Sequence, residues 1–131
     1  MSVAYSRILF PTDFSEHSLH ALDHALTITD RFNAELHCLY VVDEAYQYWS
    51  GLGPESIPLG PPPQELIDLG KSRMERFRTE KLHGLGCTPV TAVALGRPFA
   101  EIIQYAREHR VDLIIMSTHG RGAFAHMLLG S

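Results

Sequence analysis

A chain of 131 residues, 45% hydrophobic and 20% charged, can bury a core of its own and has the balance of one soluble globular domain. Its formal net charge of -4 argues against a non-specific grip on nucleic acid or an acidic membrane surface, since both need a basic face. No apolar run approaches the roughly 20 residues of a membrane helix, and the opening MSVAYSRILF is too short and too promptly structured for a signal peptide. The expectation is a cytoplasmic protein. Cys38 and Cys87 lack metal or redox spacing, so both are expected to be small buried apolar residues in a reducing compartment.

In chain order, residues 7–10 form a short apolar run closed by Pro11, which predicts a strand buried on both faces. A helix follows after Ser15, with Leu19, Leu22, Leu26 and Thr29 on one face. His17, His20 and His24 lie on another stripe with Glu16 and Asp23, which predicts a solvated surface rather than a metal site. Residues 38–42 are a second buried strand. From 43 to 63 the pattern breaks down, because Gly51, Gly53, Pro54, Pro58, Gly60 and Pro61, Pro62 and Pro63 can continue neither a helix nor a central strand. A connection of roughly 20 residues is uncommon in a compact domain. Its Tyr46, Tyr48 and Trp49 fit closure over a base, a sticky surface for a partner, or an ordinary connector tucked onto the sheet.

Leu66, Gly70, Met74 and Phe77 then share a helical face. The Lys and Arg cluster between 71 and 81 alternates with Glu75 and Glu80 and predicts a solvated helix face. Residues 90–95, interrupted by Thr91, suit a strand nearer the sheet edge. Ile102, Ile103 and Ala106 mark a third helix, and residues 113–116 a further strand buried on both faces. Alternating strands and helices predict an α/β fold: an open parallel sheet with helices on both faces, joined by right-handed crossovers. Ligands in such sheets bind at the carboxyl ends of the strands, where strand order reverses.

The final stretch, DLIIMSTHGRGAFAHMLLGS, runs an apolar strand into Gly120 and Gly122 and returns to Gly130 and Ser131. Glycine permits unusual φ angles and close backbone approach, and amides exposed at such a turn bind anions. A tight turn with no ligand explains the glycines equally well. Gly120, Gly122 and Ala125 also spell G-x-G-x-x-A, but the dinucleotide fingerprint belongs to the first strand-to-helix turn of its unit and needs a later acidic residue. No P-loop motif occurs.

The segments RILFPTDFSEHSLHALDHAL, LYVV, GRPFAEIIQYAREHRVDLIIMSTHGRG and LLGS together resemble the universal stress protein family over essentially the whole length. That resemblance implies a five-stranded parallel, Rossmann-like fold of the adenine nucleotide alpha hydrolase type, and a homodimer. Residues 1–131 are then one such domain, expected to lack its last helix and strand. The family divides into ATP binders and others. Its ATP pattern is glycine, two residues, glycine, nine residues, then glycine followed by serine or threonine. Here the second glycine falls on Gly120, the third on Gly130 and the hydroxyl on Ser131, while Ser117 replaces the first. If that position needs positive φ or close contact, a Cβ costs on the order of 1 kcal/mol, roughly tenfold in affinity.

The same resemblance carries adenine and ribose contacts to Pro11, Thr12, Asp13 and Val41, with Met116, Ser117, His119 and Arg121 beside the glycines. Asp13 suits a ribose because a carboxylate can accept hydrogen bonds from both hydroxyls, although Asp13 and Glu16 also read as a helix capping box. Arg121 can meet a phosphate, and an ordinary exposed loop arginine fits equally well. The expected ligand is ATP, with or without Mg, or AMP or ADP in its place. The expected role is a stress-response sensor or signalling module acting by binding. A nucleotide-free dimeric interaction module is the alternative, and a slow ATPase ranks last because no nucleophile, base and orienting group occur together.

Overall fold

The computed structural model describes residues 3–43 and 62–117. Its elements run β1 (Arg7–Pro11), α1 (Glu16–Phe32), β2 (Glu35–Asp43), α2 (Pro63–Lys81), β3 (Val90–Gly96), α3 (Pro98–Glu108) and β4 (Leu113–Ile114). The strands form one sheet in the order β3-β2-β1-β4, and every neighbouring pair is parallel. Phe10 lies opposite Cys38, Ile8 opposite both Leu36 and Leu113, and Val41 opposite Ala94.

Alternation along the strands divides the core in two. Ile8, Phe10, Leu36 and Cys38 face α1 and α2, where Leu22, Ala25, Met74 and Phe77 close over them. Leu9, Leu39 and Val41 face the other way, against Ile102 of α3. Helices therefore cover both faces, as the apolar runs predict. The chain steps outward from β1 through β2 to β3 with α1 and α2 on one face. It then returns by α3 across the other face to β4, on the far side of β1. Strand order thus reverses between β1 and β4.

Helix ends follow local chemistry. Ser15 caps α1, its Oγ accepting from the Ser18 amide at 3.2 Å. At the other end Asn33 takes φ 53, and the Ala34 and Asn33 amides donate to Thr29 and Asp30 carbonyls at 2.9 and 3.2 Å, closing a Schellman motif. The same device ends α3, where Arg110 takes φ 52 in a place glycine normally occupies.

Three expectations need correction. The helix cap is Ser15 and not Asp13, whose Oδ1 instead accepts from the Ser15 amide at 3.0 Å; this is an Asx turn, which competes with capping for the same carboxylate. Cys87 is exposed rather than buried, because it lies in the irregular link between α2 and β3. Residues 113–116 are not a strand buried on both faces: β4 covers only Leu113–Ile114, and Ile114 is 39% exposed, as expected of a strand with a partner on one side only among the described residues. The charged face of α2 is exposed as expected, and on it the Arg73 guanidinium carbon lies 4.7 Å from the centroid of the Phe14 ring.

The cysteines provide a direct check on the packing. Burial pushes the Cys38 thiol up to about 12, so little of the reactive thiolate exists at neutral pH. Native-state alkylation with iodoacetamide is expected to label Cys87 and spare Cys38, read by mass spectrometry of the digested protein. Equal labelling would show that the central strands open.

Asp112 ties β4 to the start of β1. Its Oδ2 accepts from the Ser6 and Arg7 amides at 2.6 and 2.8 Å, and these bonds hold its carboxyl below the usual range, the Arg7 charge adding to the effect. A lowered folded-state pKa means the contribution is present above the unfolded carboxylate value of about 3.9 and is lost as pH falls through the folded value. The stability difference between the parent and Asp112→Ala is therefore expected to be constant at neutral pH and to shrink below that range in urea titrations. A difference independent of pH would show that the carboxylate charge is not what holds this junction.

Candidate functional site

The carboxyl ends of β1 and β2 and the segment following β4 converge at one end of the sheet. Pro11 closes β1, and the Thr12 amide extends the ladder by donating to the Leu39 carbonyl at 2.9 Å. Thr12 is completely buried. Its hydroxyl shares a 2.5 Å bond with Ser18 Oγ and accepts from the Phe14 amide at 3.0 Å. Those bonds hold Phe14 at φ 64, a conformation that costs roughly 1 kcal/mol for a residue with a Cβ. The strained turn leaves Asp13 half-buried beside the end of β1.

On the opposite side of β1 the ladder continues past β4, with the Ile115 amide donating to the Leu9 carbonyl at 2.9 Å. Met116 packs with Leu9, Leu39 and Val41 in the cluster under α3, and Ser117 follows, half-buried. The structure therefore gathers Pro11, Thr12, Asp13, Val41, Met116 and Ser117 at one end of the sheet. His119, Gly120, Arg121, Gly130 and Ser131 lie outside the described residues, as do Tyr46, Tyr48 and Trp49. The gathered groups offer an apolar wall and a carboxylate around the point where strand order reverses. Such a crevice is the general ligand position of open α/β sheets.

His17, His20 and His24 are exposed on α1. Among the described residues no group of three or more His, Cys, Asp and Glu could hold a metal ion.

A second polar constellation lies at the amino end of the sheet and escapes the sequence reading. His37, only 3% exposed, has Nδ1 2.6 Å from Tyr105 Oη and Nε2 2.5 Å from Glu35 Oε1. With neutral imidazole, the phenol donates to Nδ1 and Nε2–H donates to the carboxylate. His109 stacks on Tyr105 with centroids 3.8 Å apart. Burial pushes the Tyr105 phenol up to about 12, with Cys38 and Glu35 adding to the rise, so the phenol stays protonated at neutral pH and serves as a donor rather than a nucleophile. The arrangement clamps α3 onto β2. Glu35 and His37 at i and i+2, and Tyr105 and His109 at i and i+4, each share a face, but only the packing of α3 on β2 joins the two pairs.

The model of the Universal stress protein family matches residues 4–131. The chain belongs to that family. Among its relatives is Universal stress protein MJ0531 of Methanocaldococcus jannaschii, 35% identical over 133 residues that span 97% of this chain and 72% of the relative. Universal stress protein MJ0577 of the same organism is 32% identical over 142 residues, spanning 100% of this chain and 87% of the relative. The solved structure of MJ0577 superposes with a TM-score of 0.76 at 28% identity, over 98% of this chain and 91% of that one. A universal stress protein solved in complex with cAMP shares the fold, with a TM-score of 0.56 at 23% identity over 98% of this chain and 85% of that one. The parallel sheet of this universal stress protein is thus the Rossmann-like architecture of its relatives, and no described helix is long and apolar enough to cross a membrane.

Proposed function

We propose that this universal stress protein binds an adenine nucleotide, ATP with or without Mg or else AMP or ADP, in the crevice between the ends of β1 and β4. It acts as a stress-response sensor or signalling module, as a cytoplasmic homodimer without nucleic-acid or membrane partners. The observation that carries this reading is the reversal of strand order between β1 and β4, with Asp13 and Ser117 on its two sides. Val41 and Met116 form the apolar wall for the base, and Asp13 accepts from the ribose hydroxyls. Pro11 and Thr12 contribute main-chain contacts, because the Thr12 hydroxyl is already engaged by Ser18 and Phe14. His119, Gly120, Arg121, Gly130 and Ser131 take the phosphates, following the family's glycine pattern. That the fold can hold an adenine nucleotide is consistent with the relative solved with cAMP. Binding acts by favouring one population of conformations or partners over another.

Thermal melting with and without excess Mg-ATP tests the proposal. A ligand specific to the native state and present at about a hundredfold over its Kd stabilises by about 2.7 kcal/mol. Gly120→Val is expected to abolish the shift and leave the ligand-free midpoint unchanged. Ser117→Gly is expected to enlarge it, since removing the Cβ restores roughly tenfold in affinity. Ser117 in place of the pattern's glycine favours a second reading, a nucleotide-free interaction module. The absence of any shift at millimolar ATP would decide for that reading.

A further inference from the structure

We propose that the groove between α1 and α2 is a separate ligand site for a medium-chain carboxylate. The groove has a volume of about 270 Å³ and is lined by Phe14, Leu19 and Phe77 with Arg73, Arg76, Glu80 and Lys81. Its floor is aromatic and aliphatic. Phe14 lies 5.6 Å from Phe77 and 4.7 Å from Tyr40, centroid to centroid, and Arg73 covers the Phe14 ring. Three cations against one carboxylate give the lining a positive excess in a protein whose net charge is -4. The ion pairs of the described residues join Arg7 with Glu35, His37 with Glu35 and Arg78 with Glu75, so Arg76 and Lys81 are unpaired among them.

An apolar floor with unpaired cations at its rim complements an amphiphilic anion. The alkyl chain lies on Phe14, Leu19 and Phe77, while the carboxylate meets Arg76 and Lys81 in charge-assisted hydrogen bonds. The volume is near the lower end of ligand pockets, which run from about 300 to 1,000 Å³, and suits a chain of medium rather than long length. Phe14 is held there by its unusual backbone: at φ 64, anchored through its amide to Thr12, it has its ring against Phe77 of α2 and Tyr40 of β2. This site does not depend on nucleotide binding.

Isothermal titration of the full chain with octanoate, in the absence of nucleotide, tests the site. One-to-one saturable binding is expected, weakening as salt screens the rim charges. Octan-1-ol, which keeps the chain and loses the charge, is expected to bind roughly tenfold more weakly. The double variant Arg76→Gln with Lys81→Gln should lose a similar factor, and because both side chains are exposed its melting midpoint should match the parent. Amide chemical-shift changes on adding octanoate should centre on Phe14, Leu19 and Phe77. No binding, unchanged affinity in the double variant, or shifts centred on another surface would overturn the proposal. So would a groove already covered by a second copy of the chain, which would show as absent octanoate binding together with a dimer mass that falls in the double variant.

Discussion

Phe10→Ala is expected to cost about 3–5 kcal/mol, the range for removing a buried aromatic ring. Phe10 is fully buried in β1, the strand flanked by β2 and β4. Its ring stacks on Phe77 of α2 with centroids 6.3 Å apart and planes 14° from parallel. The surrounding Ile8, Leu36, Cys38 and Met74 belong to the same cluster; the first three come from strands whose positions are set by main-chain ladders and Met74 from α2, so collapse into the vacated space is limited. Urea unfolding should show a lower midpoint with an unchanged slope, the signature of lost stability without a changed unfolded state. A loss below about 1 kcal/mol would mean that the ring is not in a packed core. If the proposed nucleotide site is correct, the ATP-dependent melting shift should also shrink, because Pro11 ends the same strand and Thr12 and Asp13 follow directly on it.

Thr12→Val keeps the shape of the side chain and removes its hydroxyl. Ser18 Oγ, itself buried, then loses its 2.5 Å partner, and the Phe14 amide loses its acceptor. A buried polar group left without a partner costs about 1–3 kcal/mol, and the Phe14 backbone no longer has the bond that supports its positive φ. Ser18→Ala in the same background should restore part of the loss, since removing both hydroxyls leaves no orphan between them; the double-mutant cycle measures that coupling. If the proposed nucleotide site is correct, Thr12→Val also reduces the ATP-dependent melting shift by displacing Asp13. Full additivity of the two substitutions would rule out the hydroxyl pair as a shared element.

The architecture was largely legible because each element carries its own periodicity. Leu22 and Thr29 of α1, and Gly70, Met74 and Phe77 of α2, are buried on the faces that their spacing predicts. At Gly70 an added Cβ would come within 3.0 Å of Val93 and 3.2 Å of the Tyr40 ring, so this glycine lets α2 approach the sheet closely. Residues 90–95 read as an edge strand because Thr91 breaks the apolar run, and β3 is at the edge of the four described strands. The candidate site was legible only in part. Val41 lies 28 positions beyond Asp13 and 30 beyond Pro11, and the rule that ligands bind at the carboxyl ends of parallel strands, together with the family resemblance rather than any local pattern, connected them. The sequence signal for Asp13 as a cap failed because two nearby side chains, Asp13 and Ser15, can each bond a local amide, and the tertiary turn assigned the cap to Ser15.

From the order of residues alone came alternating strands and helices, a parallel sheet covered on both faces, and the family to which the chain belongs, because hydrophobic periodicity and glycine placement are local properties. Tertiary structure decided which ends of the strands meet, where the order reverses, and which polar groups are engaged inside. The burial of Thr12 against Ser18, the clamp of Glu35, His37 and Tyr105, and the cationic groove over Phe14 each join residues from separate elements. No local pattern encodes such meetings; they exist only once the helices have packed on the sheet and water has been excluded between them.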